Sequence, residues 1–276
     1  MTSPEQTAAI ELRLILDAIF LGYGYDFRGY AADVVARRLE VARLRFGASS
    51  LGELQHRLLV DPELFAGVLE HLTLRVSDVF RDPEFYRALR REVLPTLRTY
   101  PTLKVWLAGC ANGEEVYSLA ILLHEEGLLE RATIYATDVS AEAMREAKEG
   151  IYLESRLATF ADNYRLSGGK SQFRDYYALG YERIAMSESL KHSVVFFQHD
   201  LVSDYSLGQM HLVFCRNVLI YFGAELRART LKLLRDCLYT GGYLCLGMSE
   251  ALPDSLHGTL EPVDAATRIY RATEAA

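Results

Sequence analysis

The stretch LAGCANGEEVYSLA, Leu107 to Ala120, ends an apolar run at a loop of small residues and then begins a helix with two glutamates. Acidic residues at a helix N-terminus are favoured by the helix macrodipole, so Glu114 and Glu115 have one purely structural explanation. A second explanation is that the loop binds a small molecule whose positive group faces one of these carboxylates. In either case the stretch predicts a strand, a loop and a helix, the beginning of an α/β unit.

From about residue 103 onward, the sequence alternates apolar strands with helical patterns. The predicted strands lie in LKVWLAGC, ATIYATD, SVVFFQHD, MHLVFCRN, YLCLGMSE and TRIYRA. The last predicted helix covers residues 224–242 and is ended by Gly241 and Gly242. This alternation predicts a mostly parallel, doubly wound α/β sheet. The polar residues 165–192, which include the strand-like YERIAM, are predicted to form a small antiparallel β insertion beside it.

Residues 1–74 have a different pattern, with consecutive helices and no strand-like alternation. The helix over residues 30–47 combines a rough apolar stripe with a basic face. The stripe comprises Val34, Val35, Leu39, Val41, Ala42 and Leu44, and the basic face comprises Arg37, Arg38, Arg43 and Arg45. That face is either simply solvated or docks on an acidic partner. We expect a helical domain over 1–74, a linker over 75–102 and an α/β domain over 103–276.

The composition excludes several classes of protein. A net charge of −7 and a pI near 5.6 disfavour a general nucleic-acid or membrane-surface binder. The N-terminus has no cationic, uninterrupted apolar signal sequence, and no stretch is long enough to be inserted into a membrane. The four cysteines form no CxxC pair and the seven histidines have no ligand spacing, so we expect no metal site. We expect a cytoplasmic monomer.

Polar residues follow four of the predicted strands. They are the loop Gly109–Glu115, Asp138, Asp200 and the pair Arg216 and Asn217. In open α/β sheets, ligands bind outside the carboxyl ends of the strands. Asp138 could accept hydrogen bonds from ribose hydroxyls or cap the next helix, a position for which Ser140 competes. A pyrophosphate site would avoid acids at a helix start, so the glutamates favour a nucleoside with an amino-acid ammonium over NAD.

The segments AGCANGEEVYSLA, FCRNVLIYF and VFRDPEFYRALRREVLP together resemble the CheR family, the chemotaxis receptor glutamate methyltransferases. The resemblance covers essentially the whole chain. It implies a Rossmann-like domain that binds S-adenosyl-L-methionine (SAM) and methylates glutamate side chains of a chemoreceptor for signal transduction. The products would be a glutamate methyl ester and S-adenosylhomocysteine. The alternatives are a SAM-binding regulatory or scaffolding module that does not methylate, and an NAD-dependent oxidoreductase, which the paired glutamates disfavour.

The resemblance also implies which residues form the site. Arg81 and Tyr221 are implied to be catalytic, by orienting the substrate carboxylate. Glu115 is implied to bind the methionine ammonium of SAM, and Asp138 to bind its ribose. The other implied cofactor-binding residues are Ser77, Arg81, Gly109, Asp200, Leu201, Cys215, Arg216 and Asn217. A glutamate carboxylate is already ionised at neutral pH, with a reference pKa of about 4.3, so methyl transfer needs no general base.

Some positions depart from the family pattern. Ser77 replaces a common threonine, Arg75 and Asp200 replace common asparagines, and Met248 replaces a frequent histidine. Asp200 can accept a hydrogen bond from the adenine amino group but cannot donate one to a ring nitrogen.

The insertion bears on how the receptor is bound. Some family members bind a C-terminal receptor pentapeptide through a glycine-rich β-loop, whereas ALGYERIAMSESLKHS has one glycine, Gly180. We expect no binding of such a tether. Docking on the receptor's cytoplasmic helices is expected to occur through the basic helix 30–47.

Overall fold

The computed structural model describes residues 3–73 and 77–273, which form two compact units. The first unit comprises Met1–Leu74 with Tyr221–Arg229, and the second comprises Arg75–Ile220 with Thr230–Ala276. The departure at Arg75 therefore lies outside the described residues. Each unit has its own hydrophobic core.

The first unit is helical, in agreement with the sequence pattern. Its helices are α1 (Pro4–Tyr23), α2 (Ala32–Arg45), α3 (Leu51–Val60) and α4 (Pro62–Leu72). Side-chain caps define where three of these helices begin: Ser3 and Gln6 form a capping box at α1, Ser50 caps α3 and Asp61 caps α4. The core residues between them include Ile15, Ile19, Leu39, Leu54, Leu58 and Val68.

The inward face of α2 differs from the predicted one. Arg38, predicted to lie on the basic surface, is only 7% exposed, and its Nη1 donates to the carbonyl oxygen of Leu72. Val41 and Leu44, which were assigned to the apolar stripe, are 50% and 64% exposed. The buried residues are Val35, Arg38, Leu39 and Ala42, which follow the i, i+3, i+4, i+7 spacing of one helix face. The apolar residues at 41 and 44 fall outside that face.

Arg43 is also engaged in local contacts. It forms an ion pair with Glu40, with 2.6 Å between its Nη2 and Oε1, and donates from Nη1 to the carbonyl oxygen of Ala48 at 2.6 Å. Of the four predicted basic-face arginines, Arg37 and Arg45 remain as fully exposed side chains.

The segment Tyr221–Arg229 belongs to the first unit, although the sequence placed it in the α/β domain. The Ala31 N–H donates to the Tyr221 carbonyl oxygen at 3.0 Å, and the rings of Tyr30 and Phe222 pack 5.0 Å apart, edge to face. The guanidinium of Arg38 lies 4.2 Å from the centre of the Tyr221 ring. These backbone and aromatic contacts join residues far apart in sequence, which explains why a linear division into domains missed them.

The second unit is built on a seven-stranded sheet with the order β6-β2-β1-β7-β8-β10-β9. Its strands are β1 (Leu103–Ala108), β2 (Ala132–Asp138), β6 (Val194–Gln198), β7 (Met210–Cys215), β8 (Leu238–Leu246), β9 (Leu260–Asp264) and β10 (Ile269–Ala272). The five strands β6, β2, β1, β7 and β8 are parallel to one another, whereas β10 pairs antiparallel with its neighbours β8 and β9. The predicted doubly wound, mostly parallel sheet is confirmed, and β9 was not predicted.

The helices of the second unit cover the sheet. They are α5 (Pro83–Ala88), α6 (Leu94–Leu97), α7 (Glu114–Glu125), α8 (Ala141–Glu149), α9 (Leu157–Leu166) and α10 (Ala224–Asp236), the last of which begins in the first unit. Ser140 caps α8, as the sequence predicts, and Gly150, at φ +62°, ends the helix. Among the described residues, no helix is long and apolar enough to cross a membrane.

The end of α10 corrects one prediction. The helix ends at Asp236, and Gly241 and Gly242 lie within β8. A Cβ atom at Gly242 would lie 3.0 Å from the Tyr239 carbonyl oxygen and 3.1 Å from that of Met210. The glycine therefore allows a close backbone approach where the register of β7 and β8 shifts, and it does not end a helix.

A small antiparallel sheet, β3-β5-β4, lies beside the main sheet, as expected for the insertion. Its strands are β3 (Ile151–Leu153), β4 (Tyr177–Gly180) and β5 (Arg183–Met186), so it begins earlier than the predicted residue 165. Tyr181 and Glu182, at φ +51° and +58°, make the two-residue turn between β4 and β5.

The expected linker is an integral part of the second unit. Residues Val79, Phe80, Phe85, Tyr86 and Leu89 are fully buried in its core. The Phe80 N–H donates to the Ser118 hydroxyl of α7 at 2.7 Å, and this hydroxyl donates to the Glu114 carbonyl oxygen at 2.7 Å. The segment that precedes α5 is therefore fixed to the start of α7.

A buried ion-pair cluster closes the far end of α7. Arg90 binds both Glu125 and Glu126, and the hydroxyls of Tyr164 and Tyr176 also donate to Glu125. Burial acts to raise the pKa of Glu125, but the hydrogen bonds from Tyr164, the Lys170 N–H and Arg90 outweigh it, so its pKa lies below the ordinary value.

We predict that Glu125→Gln lowers the free energy of unfolding at pH 7 by about 3 kcal/mol, because Arg90 loses a buried partner. A lowered folded-state pKa means that ionised Glu125 stabilises the fold above its unfolded pKa of about 4.3, and that this stabilisation is lost as the pH falls through the folded value. The variant should therefore lose less stability than the wild type on acidification. Urea denaturation at several pH values measures this, with the exposed Glu84→Gln as control; parallel curves for Glu125→Gln and wild type would contradict it.

Candidate functional site

The polar residues predicted at strand ends all follow strands of the parallel part of the main sheet. Asp138 ends β2, Asp200 follows β6 by two positions, and Arg216 and Asn217 follow β7 directly. The loop Gly109–Gly113 follows β1. Because these strands are parallel neighbours, their carboxyl ends lie along one edge of the sheet. This is the edge at which open α/β sheets bind ligands.

The two glycines of the loop after β1 are required by packing. Gly109, at φ +77°, would place a Cβ atom 2.5 Å from Cγ2 of Val218. Gly113, at φ +90°, would place one 2.9 Å from Cβ of Ala147. The backbone of this loop packs closely against Val218 at one glycine and against Ala147 at the other. This close packing explains both glycines without a bound ligand.

Asp138 holds this loop and the next helix together. Its Oδ2 accepts from the Ala111 N–H and its Oδ1 from the Ser140 N–H, both at 3.0 Å. The Ser140 hydroxyl accepts from the Ala143 N–H at 3.2 Å and is the cap of α8. The helix-cap alternative for Asp138 is therefore excluded. The half-buried carboxylate of Asp138 lies at the strand edge.

The centre of the site is the guanidinium of Arg216, whose side chain is only 1% exposed. Nη1 donates to Oε1 of Glu115 at 2.5 Å, and Nη2 donates to Oδ2 of Asp82 at 2.8 Å and to the Arg81 carbonyl oxygen at 3.4 Å. The guanidinium carbon lies 4.0 Å from the centre of the Phe85 ring. One cation therefore links the end of β7, the start of α7 and the segment before α5.

Burial and charge act in opposite directions on Glu115. Burial raises the pKa of its carboxyl above the ordinary value, and the charges of Arg216 and Arg81 reduce that rise. The effect of Arg81 indicates that the carboxylate of Glu115 lies in the field of both arginines.

The neighbouring acid, Glu114, has a different partner. Its Oε1 accepts from Nη1 of Arg156 at 2.7 Å, and the same guanidinium binds Oδ1 of Asp78 at 2.8 Å and the Ser77 carbonyl oxygen. Burial raises the pKa of Glu114, and Arg156 opposes that rise. Arg156 was not among the predicted site residues, because nothing in its local sequence pattern distinguishes it from a surface arginine.

Asp200 and Leu201 form the beginning of a turn after β6. Oδ1 of Asp200 accepts from the Val202 N–H at 2.8 Å, and its Oδ2 accepts from the Ser203 hydroxyl at 3.1 Å. Leu201 is buried. His199 packs edge to face against Trp106 and hydrogen-bonds the Tyr205 carbonyl oxygen.

The end of β7 contains a buried thiol followed by a strained loop. Cys215 is fully buried, and burial raises the pKa of its thiol. Asn217 has a φ of +60°, in the left-handed region that non-glycine residues rarely adopt. Its N–H donates to Glu250, a residue that sequence analysis did not identify.

The remaining site candidates are half-buried. Ser77, Arg81 and Tyr221 are neither fully buried nor fully exposed, and Tyr221 belongs to the first unit. Met248, the position of a frequent family histidine, is 39% exposed, and its carbonyl oxygen accepts from Nε of Arg268.

Two family descriptions match the chain. Residues 75–269 match the CheR methyltransferase, SAM binding domain, and residues 10–73 match the CheR methyltransferase, all-alpha domain. Together the matches cover nearly all of the described residues.

Similar proteins carry related names. "Putative methyltransferase Cher3" of Pseudomonas putida is 45% identical over 98% of this chain and 99% of its own length. "Chemotaxis protein methyltransferase Cher2" of the same organism is 34% identical over 79% of this chain and 82% of its own. "Chemotaxis protein methyltransferase 1" of Pseudomonas aeruginosa is 36% identical over the same shares of the two chains.

Among solved structures, the N-methyltransferase NodS from Bradyrhizobium japonicum WM9, in complex with S-adenosyl-l-homocysteine, is similar to part of the chain. It aligns with 72% of this chain and 90% of its own at 14% identity, with a TM-score of 0.40. The family assignment rests on the sequence matches.

We predict that Arg216→Lys lowers the free energy of unfolding by about 2 kcal/mol or more, because one ammonium cannot reproduce the two-sided hydrogen bonding of a buried guanidinium. Arg145→Lys is the matched control, since Arg145 also binds two carboxylates, Glu142 and Glu149, but on an exposed helix face. The control should cost much less, because exposed ion pairs contribute little to stability. Urea denaturation compares the two variants, and equal losses would contradict a special role for the buried pair.

Proposed function

This chain belongs to the CheR family of SAM-dependent methyltransferases, and we propose that it methylates glutamate side chains of a chemotaxis receptor. SAM supplies an electrophilic methyl group on its sulfonium. In the proposed reaction a glutamate carboxylate oxygen forms a bond to this methyl carbon as the bond to sulfur breaks, which gives a methyl ester and S-adenosylhomocysteine. The family names of the relatives support a chemoreceptor as the substrate.

The observation that carries this proposal is the set of carboxylates along the strand edge. Glu115, Asp138 and Asp200 follow three neighbouring parallel strands, where a dinucleotide phosphate would meet repulsion. A SAM molecule fits this set of hydrogen-bond acceptors, because it carries an ammonium and two ribose hydroxyls, which donate, and has no phosphate. Glu115 is proposed to bind the ammonium through Oε2, since Arg216 occupies Oε1. Asp138 is proposed to accept from the ribose, and Asp200 from the adenine amino group.

The substrate side of the reaction needs orientation more than proton transfer. A glutamate carboxylate, with a reference pKa of about 4.3, is already a nucleophile at neutral pH. Positioning and electrostatic preorganisation should therefore supply most of the acceleration. Arg81 is proposed to orient this carboxylate, together with Tyr221. Among the other proposed cofactor residues, Ser77, Gly109, Leu201, Cys215, Arg216 and Asn217 would act through backbone groups or by shaping the site.

A direct assay tests the proposed function. The protein is incubated with methyl-labelled SAM and cytoplasmic fragments of chemoreceptors, and the labelled fragments are then treated with base. The proposal predicts label that is released as methanol, because glutamate methyl esters are base-labile. Base-stable label would contradict glutamate esterification. Binding of S-adenosylhomocysteine without any transfer would instead support a SAM-binding module that does not methylate.

The receptor is proposed to dock on α2, on a surface that contains two of the four arginines predicted from the sequence. Arg37, Val41, Leu44 and Arg45 follow the i, i+4, i+7, i+8 spacing of one helix face and are all exposed. Arg38 and Arg43 are excluded from this surface by their internal contacts. Two cations that flank two exposed apolar side chains suit an amphipathic acidic helix.

We predict that Glu115→Gln weakens binding of S-adenosylhomocysteine about tenfold or more, because a charge-assisted hydrogen bond contributes ~1.5–3 kcal/mol. Glu114→Gln is the matched control: it removes the adjacent carboxylate, which binds Arg156, and should leave affinity within about threefold. Both variants should lose stability, since Glu115→Gln leaves the buried Arg216 and Glu114→Gln leaves the half-buried Arg156 with one ionised partner fewer. Isothermal titration gives the affinities, and equal affinities for the two variants would contradict the ammonium assignment.

We also predict that the double variant Arg37→Glu/Arg45→Glu weakens binding of a receptor fragment about tenfold or more at low salt. Added salt should weaken wild-type binding in the same direction through screening. The control is Arg13→Glu/Arg165→Glu, which changes the net charge equally at two exposed positions. Equal effects of the two double variants would show only a net-charge effect and contradict docking on α2.

The tether prediction has its own test. The hairpin turn of the small sheet has two residues, Tyr181 and Glu182, with bulky side chains in place of a glycine-rich loop. A titration with a C-terminal receptor pentapeptide is expected to show no binding, and micromolar binding would overturn this expectation.

A further inference from the structure

Another buried carboxylate lies after β8, the strand that pairs with β7, and has none of the roles proposed for the other acidic residues. Glu250 follows β8 and is only 4% exposed. Its carboxylate accepts four backbone N–H groups. Oε2 accepts from Asn217 at 3.0 Å and from Gly247 at 2.6 Å, and Oε1 accepts from Leu219 at 2.7 Å and from Ile220 at 3.3 Å. One side chain thus satisfies the backbone of two loops.

The surrounding chain is shaped for this contact. A Cβ atom at Gly247 would lie 2.7 Å from the Asn217 nitrogen and 2.8 Å from Oε2 of Glu250, so only glycine fits there. Asn217 has a left-handed φ of +60°. Non-glycine residues adopt this conformation less often than glycine, and surrounding contacts hold them in it. The hydrogen bond from its N–H to Glu250 is one such constraint.

The loop held by Glu250 lies between two proposed functional residues. Arg216, which binds Glu115, immediately precedes Asn217, and Tyr221 immediately follows Ile220. A buried carboxylate that accepts several N–H groups forms charge-assisted hydrogen bonds with them, and these bonds fix the direction of each donor peptide. A change in that carboxylate would alter the path of the chain on both sides of the loop.

We infer that Glu250 is a positioning residue that holds the loop Asn217–Ile220 in the geometry required for methyl transfer. This inference rests on the proposed function for its catalytic consequence. Its structural consequence, the fixing of four backbone N–H groups, is independent of any activity.

The first test is hydrogen exchange on Glu250→Gln, compared with the full-length wild type. A glutamine keeps the shape but replaces one acceptor oxygen by an NH2 group, which opposes two N–H donors. Exchange of the Asn217, Leu219 and Ile220 amides is expected to accelerate about tenfold or more. Glu125→Gln, which removes an equally buried carboxylate of the same unit, should leave these amides unchanged. Unchanged exchange in Glu250→Gln would overturn the inference, whether or not the wild type methylates a receptor.

The second test is kinetic. In Glu250→Gln, kcat for methyl transfer to a receptor fragment is expected to fall about tenfold or more, while KM for SAM changes less than about threefold. Glu125→Gln should retain kcat, despite its lower stability. A loss of kcat in both variants, or in neither, would overturn a positioning role.

The two tests separate the two claims. Faster exchange in Glu250→Gln, combined with a wild type that forms no methyl ester, would contradict the proposed function and leave the loop assignment standing.

Discussion

The buried guanidinium of Arg216 is the interaction on which the site depends. It binds Glu115 at the start of α7 and Asp82 before α5, and it lies over the Phe85 ring. A buried charge is costly unless it is paired and hydrogen-bonded, so none of these three segments can move without exposing or abandoning the cation. The position of Glu115 at the strand edge is therefore set by its contact with Arg216, which directly follows β7.

The two glutamates that begin α7 perform different tasks, although they are adjacent and chemically identical. Glu114 points to Arg156 and, through it, to Ser77 and Asp78. Glu115 points to Arg216. The helix geometry directs neighbouring side chains about 100° apart, which lets one acid fix the preceding segment while the other remains at the ligand-binding edge. The structural explanation of the pair therefore holds for Glu114, whereas Glu115 combines its contact with Arg216 with the proposed binding of the ammonium.

The main sheet could be predicted well because its strands are short, continuous apolar runs. Such runs indicate buried parallel strands without knowledge of which strands pair. The sequence also predicted which strand ends carry polar residues. It did not predict that Arg38 is buried, or that Arg156 and Glu250 organise the loops. Those roles depend on partners far along the chain, such as Leu72 for Arg38 and Asn217 for Glu250, and a charged residue in a local pattern resembles a surface residue.

The measurement that most directly tests this account is a double-mutant cycle on the free energy of unfolding with Glu115→Gln, Arg216→Gln and the double variant. If the buried pair organises the site, the stability losses of the two single variants should sum to more than the loss of the double variant. The difference should be about 1 kcal/mol or more, as for residues in one ion-pair network. Losses that add to within about 0.5 kcal/mol would show that the two residues act independently, and would contradict the account.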